Sequence, residues 1–410
     1  MKLSFRRYWL NPILVTGALG NSFLDRNFGP IEYSKHKSLD VTAPSQFLHM
    51  AGYDDGDDYL HIPSKDYTDD LTPVVAPQYA GIATFSHLPL TNCLNNASET
   101  FDIAVLGAPF DTGVSYRPGA RFGPSGIREG SRRQVVEEYG PYRDSYGEDG
   151  YWAKVVECGD IAMSMFDNRV ALDQLYRGHR ALLKHDTTAV KHSKTQKTVP
   201  RIVTLGGDHT ITFAAIRAAH EVYGKVAVLH FDSHIDTWDP VAVGGNVSSY
   251  AELNHGTFLH YAHELGYLDE DSNMHVGIRA PWVRKDLDRD NDKRCGFDLV
   301  TARQIDVIGV NGIVQRIKDR IGSKRVYLSI DIDVLDPVYA PATGTLEPGG
   351  FTSRELLAIL EGLEGLNIIG GDVVEVAPPY DTNSGITALA GATVAKKIID
   401  LMVLGGPVVL

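Results

Sequence analysis

KVAVLHFDSHID, residues 225–236, decides the fold. Its apolar run, residues 225–229, predicts a strand buried on both faces, as in a parallel sheet. The chain then delivers Asp232, His234 and Asp236 within five residues, and the first two share a face while the backbone stays extended. Such residues either satisfy a loop and cap the next helix, or bind a metal ion. This stretch alone leaves both interpretations open.

Two other predicted strands end in the same kinds of side chain. Asp208 and His209 follow the apolar strand 202–205, and Asp331 and Asp333 end the strand that begins at residue 326. Parallel strands present their carboxyl ends at one edge of the sheet, where open α/β folds bind ligands. Three strands that deliver potential ligands to that edge therefore predict a metal site there.

The region from Phe101 onward alternates between strand and helix patterns. Such alternation is typical of βαβ units, so we expect a three-layer α/β/α fold with a mainly parallel central sheet and the metal site at the C-terminal ends of its strands. Strands are predicted at 101–107, 201–206, 225–231, 274–278, 325–331 and 367–376. Helices are predicted from Ser125 and near 169–184, 211–222, 256–266, 310–321, 352–364 and 386–403.

Composition divides the chain into three predicted parts. Residues 1–24 are basic and acid-poor and form a possible targeting segment; residues 25–100 form an irregular extension with acidic runs; residues 101–410 form the main domain. Small residues at 18–20 suit a signal-peptide cleavage site, which favours the secretory pathway or the cell exterior, with mitochondria and cytoplasm as alternatives. We expect the sequon at Asn246 to stay unmodified, whereas glycosylation at Asn96 is left open.

Overall composition excludes several classes of function. The 410 residues are 43% hydrophobic and 22% charged, which suits a globular protein with a sizeable core. A net charge of −13 argues against nucleic acid as a partner, because cations are needed to neutralise phosphates. No segment after the N-terminal region is long and apolar enough to span a membrane. The cysteines at 93, 158 and 295 are odd in number and widely spaced, so they imply no disulfide framework.

The ligand chemistry narrows the choice of metal. Four carboxylates and two imidazoles without a thiolate suit Mn²⁺ better than a structural zinc ion. Six side chains also exceed what one metal with an open position needs, so we expect two metals bridged by carboxylates and a water. Such a water loses a proton near neutral pH and becomes a nucleophile. The expected ligands are His209, Asp232, His234, Asp236, Asp331 and Asp333.

Three of these segments resemble the metal-binding motifs of the ureohydrolases, the family that includes arginase, agmatinase and guanidinobutyrase. They are GGDHT at 206–210, FDSHID at 231–236 and SIDIDVLDP at 329–337. RPGARFGP at 117–124 and GDVVEVAP at 371–378 are similar to the agmatinase branch. The chain thus resembles an agmatinase or guanidinobutyrase of the fungal type with an N-terminal extension, over about residues 100–405. Ser233 stands where the family usually has Ala.

The resemblance implies a role for each matching residue. One Mn²⁺ would be held by His209, Asp232, Asp236 and Asp331, and the other by Asp232, His234, Asp331 and Asp333, so Asp232 and Asp331 would bridge. Glu375 matches the glutamate that grips the substrate guanidinium, a planar group that carboxylates pair with bidentately. His255 matches the proton-shuttling histidine. The resemblance therefore implies Asp232, His255 and Glu375 as catalytic residues of a homo-oligomer, a trimer or hexamer.

Departures from the arginase pattern bear on the identity of the small guanidino substrate. Arginases have Asn and Ser where this chain has Trp238 and Ala251, and the Asn binds the α-carboxylate of arginine. We therefore expect agmatine, with its chain along Trp238, to be hydrolysed to urea and putrescine in polyamine biosynthesis. The alternative substrate is 4-guanidinobutyrate, with Arg117 or Arg121 receiving its carboxylate. A metal-dependent amide deacetylase and a non-catalytic ligand-binding relative are more distant alternatives.

Overall fold

The structure is a computed structural model that describes residues 79, 81–136, 151–189, 197–244, 247–248 and 251–410. Within these ranges the strands form one sheet in which every pairing is parallel. Their order across the sheet is β2-β1-β3-β8-β7-β4-β5-β6. The strands are β1 Ile103–Ala108, β2 Val155–Asp160, β3 Arg201–Gly206, β4 Ala227–Phe231, β5 Asn273–Ile278, β6 Phe297–Thr301, β7 Arg325–Asp331 and β8 Asn367–Val374.

The helices cover both faces of this sheet. They are α1 Gly123–Gly130, α2 Asn168–Leu182, α3 Ile211–Tyr223, α4 Phe258–Glu264, α5 Lys285–Arg294, α6 Ile305–Ile321, α7 Ser353–Gly362 and α8 Ile386–Leu404. One group packs in the order α1, α8, α7 and α6, and another in the order α2, α3 and α4. The three-layer α/β/α prediction is therefore confirmed. Among these helices, none combines the length and the apolar character that a membrane span requires.

Burial on two faces explains why the central strands read as continuous apolar runs. Every residue of β1, β3, β4 and β5 is buried. A strand in a parallel sheet loses both of its faces to helices, so alternation between apolar and polar residues disappears. This pattern made the central strands predictable, and the observed bounds differ from the predicted ones by two residues or so at each end.

Three elements escaped prediction, namely β2, β6 and α5. The helix α5 has one large apolar residue, Leu287, and that side chain is 62% exposed, so no apolar stripe marks it. Its ends carry the charges that suit a helix dipole, because Asp286 and Asp288 lie in the first turn and Lys293 and Arg294 in the last. The signal for this helix was charge placement rather than hydrophobic periodicity.

Strand β2 carries a buried charge at its centre. Glu157 is 1% exposed and pairs with Arg128 of α1 through Oε1 to Nη2 at 2.9 Å and Oε2 to Nε at 3.0 Å. The backbone N–H of Gly159 also donates to Oε1 at 2.9 Å, and that of Phe85 donates to Oε2 at 3.1 Å. Both carboxylate oxygens are thus satisfied within the chain. The charged Glu157 interrupts the apolar run that would mark β2 as a buried strand. Its partner Arg128 is distant in sequence, so the sequence pattern does not show that this charge is compensated.

A disulfide joins Cys93 to Cys158 with an S–S distance of 2.02 Å, across 65 residues of sequence. The expectation of no disulfide framework is therefore wrong for these two cysteines, whereas Cys295 is buried and free. Residues 89–91 run beside β2, where Thr91 N donates to Glu157 O at 2.8 Å, and this contact brings the two sulfurs together. The spacing of the cysteines along the sequence does not predict that these two pair.

Several sequence predictions fall outside the described residues. They concern the possible targeting segment 1–24, most of the extension 25–100, and the sequon at Asn246. The sequon at Asn96 lies within the described residues, and the Asn96 side chain accepts a hydrogen bond from Ser98 Oγ at 2.7 Å.

Candidate active site

The predicted ligands meet at one edge of the sheet. Strands β3, β8, β7 and β4 are neighbours at its centre. His209 comes three residues after β3, Asp331 ends β7, and Asp232 directly follows β4. Glu375 directly follows β8, between the strands that carry the other residues. The parallel arrangement therefore gathers these side chains at the carboxyl ends of four adjacent strands.

The first group of donors surrounds His209 Nδ1. This nitrogen lies 3.1 Å from Asp232 Oδ2, 3.1 Å from Asp236 Oδ2 and 3.2 Å from Asp331 Oδ2. Neighbouring donors on one six-coordinate ion with bonds of about 2.1 Å are separated by about 3 Å. His209 Nδ1 has no hydrogen-bond partner among the described residues, and Asp232 Oδ2 has none besides the nearby ring of His230. These atoms are therefore free to bind a cation.

The second group of donors surrounds His234. Its Nδ1 atom lies 3.2 Å from Asp232 Oδ1 and 3.1 Å from Asp333 Oδ2. Asp232 thus turns one oxygen toward each group, as a bridging carboxylate does. Asp331 turns Oδ2 toward His209, while its Oδ1 accepts a hydrogen bond from Asp333 N at 2.8 Å. The structure brings the six predicted ligands together, and the contacts of Asp331 place it with the first group.

A buried network behind His209 fixes which of its nitrogens faces the cluster. Nε2 of His209 lies 2.8 Å from Ser329 Oγ, which donates to Asp372 Oδ1 at 2.6 Å. The carboxylate of Asp372 also accepts hydrogen bonds from Thr212 and Tyr327, at 2.7 and 2.8 Å. Because Ser329 donates to Asp372, its oxygen accepts the Nε2–H of His209. The lone pair is then left on Nδ1, the tautomer that a metal ligand needs.

Burial makes this concentration of carboxylates unfavourable without positive charge. Burial and the charge of Asp232 raise the pKa of Asp236 to about 6. Burial and the charges of Asp333 and Asp232 raise the pKa of Asp331 well above its usual range. Like charges packed this closely resist joint ionisation unless a cation compensates them. The donors and the charge both fit divalent metal ions held by oxygen and imidazole ligands.

Glu375 presents a buried carboxylate oxygen without a partner. Its Oε1 accepts a hydrogen bond from His209 N at 2.9 Å and lies 3.1 Å from His255 Nδ1. Its Oε2 is buried and has no hydrogen-bond partner among the described residues. The backbone φ is +62° at Glu375 and +51° at Asp236. Such conformations cost about 1–3 kcal/mol and gather at functional sites, where the surrounding structure holds them.

His255 is held between Glu375 and a loop that the sequence analysis did not connect with it. Burial alone would lower the pKa of His255, but the hydrogen bond and charge of Glu375 raise it to about 9. Nε2 of His255 lies 3.0 Å from Ser115 N and 2.8 Å from Ser115 Oγ. The backbone N–H can donate to a neutral imidazole, and the hydroxyl can accept from a protonated one. Ser115 therefore offers a partner to both protonation states of His255.

His230 is a second residue that the sequence analysis missed. It belongs to the opening stretch but was assigned to the strand β4. Its Nε2 lies 3.1 Å from Asp232 Oδ2, and it joins His209, Asp232 and Asp236 in a group of potential ligand atoms that lie within 4.8 Å of one another. The alternation along an extended chain, which places His230, Asp232 and His234 on one face, was the available signal.

Trp238 lies beside the site but mostly inside the protein. It is 9% exposed and packs with Ile235 and Ile278 in a small apolar cluster. Its ring centroid lies 6.1 Å from that of His234. Ala251, which replaces the arginase serine, is half-buried. The structure thus offers an apolar wall next to the second group of donors.

The two arginines of the Gly/Pro loop are engaged differently. Arg121 forms an ion pair with the buried Asp111, so its guanidinium holds the loop together. Arg117 is half-buried, and its guanidinium carbon lies 4.9 Å from the ring centroid of Tyr116 and 5.7 Å from that of Tyr380. Of the two predicted carboxylate-binding residues, Arg117 is the one without a buried carboxylate contact among the described residues.

Comparison with known proteins gives a consistent result. Residues 101–400 match the Arginase family. The chain is 50% identical over 331 residues to a Schizosaccharomyces pombe protein named "Putative agmatinase 1", covering 79% of this chain and 83% of that one. It is 38% identical over 318 residues to the agmatinase of Neisseria meningitidis, covering 77% of this chain and 92% of that one.

The solved structure of proclavaminate amidinohydrolase from Streptomyces clavuligerus superimposes on the protein with a TM-score of 0.69 at 34% sequence identity. The superposition covers 80% of this chain and 100% of that one. The residues that match the family model include all of the clustered carboxylates and imidazoles. The chain therefore belongs to the arginase family and is a ureohydrolase, an enzyme that acts on the carbon–nitrogen bonds of guanidino groups.

Proposed function

We propose that the protein is a dinuclear manganese agmatinase, which hydrolyses agmatine to urea and putrescine. The observation that carries the proposal is the partnerless, buried Oε2 of Glu375, whose other oxygen contacts the backbone of the ligand His209. A buried carboxylate oxygen without a donor is costly, and a guanidinium supplies planar N–H donors and a positive charge. The agmatinases among the relatives support agmatine as the source of that guanidinium.

The donor set supports two manganese ions. His209, Asp236 and Asp331 would complete one ion, His234 and Asp333 the other, with Asp232 shared. Oxygen donors with one imidazole each suit Mn²⁺, which is harder than zinc and tolerates higher coordination numbers.

The residues of the chain then have separate roles in hydrolysis. When bound, the two ions would supply a water that is deprotonated near neutral pH. Glu375 would bind the guanidinium and orient its carbon toward the cluster. His255, which its contact with Glu375 keeps protonated, would give a proton to the amine nitrogen as the carbon–nitrogen bond breaks. Ser115 would hold the imidazole of His255 before and after that transfer.

The other end of the substrate decides between two candidates. Trp238 supports an aliphatic chain without an amino-acid head, because its apolar cluster offers the α-carboxylate of arginine nothing to bind. One observation favours 4-guanidinobutyrate as the second candidate. A Cβ atom added to Gly344 would lie 2.9 Å from the carbonyl oxygen of Arg117 and 3.6 Å from Glu375 Oε2, so the Arg117 backbone borders the guanidinium site. Its guanidinium is within the same loop and could meet a carboxylate.

Urea release from agmatine, 4-guanidinobutyrate and arginine, measured with saturating Mn²⁺, tests the proposal. We expect agmatine to give the highest kcat/KM and arginine a value at least about tenfold lower, because each unpaired polar group costs about 1–3 kcal/mol. Preference for 4-guanidinobutyrate would select the second candidate, and R117M should then lower its kcat/KM but not that of agmatine. Arginine as the best substrate would overturn the interpretation of Trp238.

A further inference from the structure

A chain of buried polar side chains leads from Asp232 away from the metal site to helix α5. Nε2 of His230 lies 3.1 Å from Asp232 Oδ2, and its Nδ1 lies 2.8 Å from Nδ1 of His275 on the adjacent strand β5. Nε2 of His275 lies 2.9 Å from Asp292 Oδ1, near the end of α5. Each of these residues is at most 2% exposed. The hydrolysis proposed above gives no role to the three outer residues.

At the α5 end of this chain of side chains, the carboxylate of Asp292 sets the direction of the hydrogen bonds. Among the described residues, the carboxylate of Asp292 contacts His275 and the hydroxyl of Thr237, which donates at 2.6 Å. A buried carboxylate is strongly disfavoured unless a positive group pairs with it. Nε2 of His275 is the ring nitrogen that faces this carboxylate, so it carries a hydrogen and donates it to Asp292. Its Nδ1 shares a hydrogen with Nδ1 of His230.

His230 connects this hydrogen-bonded chain to Asp232. Its Nδ1 is engaged with His275. Its Nε2 faces Asp232 Oδ2, which as a carboxylate oxygen can only accept, so Nε2 carries a hydrogen and donates it. Neither of these two atoms has another hydrogen-bond partner among the described residues. The reverse direction would set a nitrogen lone pair against a carboxylate oxygen at 3.1 Å.

We propose that His230, His275 and Asp292 form a positioning chain that fixes the carboxylate of Asp232, so that Asp292 on α5 tunes Mn²⁺ affinity without being a ligand. Asp232 must turn one oxygen toward each group of donors, which requires a fixed side-chain rotation. Outer hydrogen-bond partners of metal ligands typically change affinity by about 10–100-fold. The inference rests on metal binding at the proposed site. It adds a residue that affects Mn²⁺ affinity on helix α5, which contributes no metal ligand.

The test measures Mn²⁺ dissociation constants of the metal-depleted full-length protein by competition with a chelator of known affinity. We expect D292N to weaken binding by about 10–100-fold. H230F, which keeps the ring volume and removes the N–H, should weaken it similarly. H230Q should restore most of the affinity, because its amide N–H can reach the place of Nε2. At saturating Mn²⁺, kcat should change far less than the dissociation constant.

Two matched variants separate this chain from general effects of α5. Asp288 is buried on the same helix and accepts a hydrogen bond from Arg284 N at 2.6 Å, away from the site, so D288N should bind Mn²⁺ like the parent protein. T237V removes the hydroxyl that links Asp292 to the loop after Asp236, and should also bind normally.

The proposal is overturned if D292N resembles D288N, if T237V weakens binding as much as D292N, or if H230Q is as weak as H230F. The His230 pair still decides the matter should D292N fail to fold, which thermal unfolding followed by circular dichroism would reveal. An unsubstituted protein that binds no Mn²⁺ would instead contradict the proposed function.

Discussion

Two regions of the protein bury carboxylates, and they satisfy them in opposite ways. Beside β2, Glu157 receives two hydrogen bonds from Arg128 and one each from the backbone of Gly159 and Phe85. At the centre of the sheet, Glu375 Oε2 has no hydrogen-bond partner among the described residues, and Asp232 Oδ2 has none besides the ring of His230. The first region is complete within the chain. The second is completed by what it binds, which is the difference between a structural ion pair and a binding site.

The largest effect is expected from D331N, which weakens the unsatisfied region. Removal of this ligand should abolish urea release, because the first group of donors loses an oxygen that faces His209. At neutral pH the metal-free variant should nevertheless be more stable than the metal-free parent, because burial raises the pKa of Asp331 and folding must therefore either protonate this carboxyl or bury its charge, whereas Asn needs neither. Urea assays and urea denaturation with a chelator present measure the two effects. Loss of stability would contradict the comparison.

The opposite result is expected from E157Q in the satisfied region. This change leaves Arg128 without its main buried partner and should lower the free energy of unfolding by about 3–5 kcal/mol. The dissociation constant for Mn²⁺ should stay unchanged, because Glu157 contacts none of the clustered donors. Denaturant unfolding and metal titration on the same preparation make the measurement. A clear change in affinity would show that the two regions are coupled.

The disulfide tests how far the β2 region depends on covalent support. The free energy of unfolding of the double variant C93S/C158S should be about 2–4 kcal/mol lower than that of the parent protein. The reason is that the unfolded chain regains the conformational freedom of a long loop. Specific activity at moderate temperature should be retained. A reductant should destabilise the parent protein and leave the double variant unaffected. Such bridges persist in oxidising compartments, which supports the proposal that the chain enters the secretory pathway.

The smallest effect is expected from S115A, in the loop that contacts His255. The hydroxyl of Ser115 is lost, but its backbone N–H still reaches His255 Nε2. One hydrogen bond of about 0.5–1.5 kcal/mol corresponds to a decrease in kcat of about 2–10-fold. The acidic and basic limbs of the pH–rate profile, compared with the parent protein, should show that the change acts through His255. An unaltered profile and rate would remove Ser115 from the site.

The sequence predicted most where structure follows local pattern. The apolar runs before His209, Asp232 and Asp331 predicted three strands, and parallel topology then required their carboxyl ends to lie at one edge of the sheet. Glu375 came instead from the resemblance of residues 371–378 to the agmatinase branch. The strand predictions needed only the period of the side chains and the direction of the strands.

The remaining features depend on contacts between distant residues. The partner of Glu157 lies 29 residues away, and the partner of Cys93 lies 65 residues away. Ser115 meets His255 across 140 residues. Single-residue patterns do not encode such pairings. The use of Arg121 shows the same limit, since a cation expected to meet substrate is bound to Asp111 instead.

The strand order determines when the candidate site can form during synthesis on the ribosome. Glu375 accepts a hydrogen bond from His209, 166 residues earlier, and β8 lies between β3 and β7. At about 5–20 residues per second, synthesis of that interval takes about 8–33 s. Throughout it, a nascent chain carries His209 and then the aspartates without the strand that separates them in the finished sheet. The complete candidate site therefore forms only when translation has almost ended.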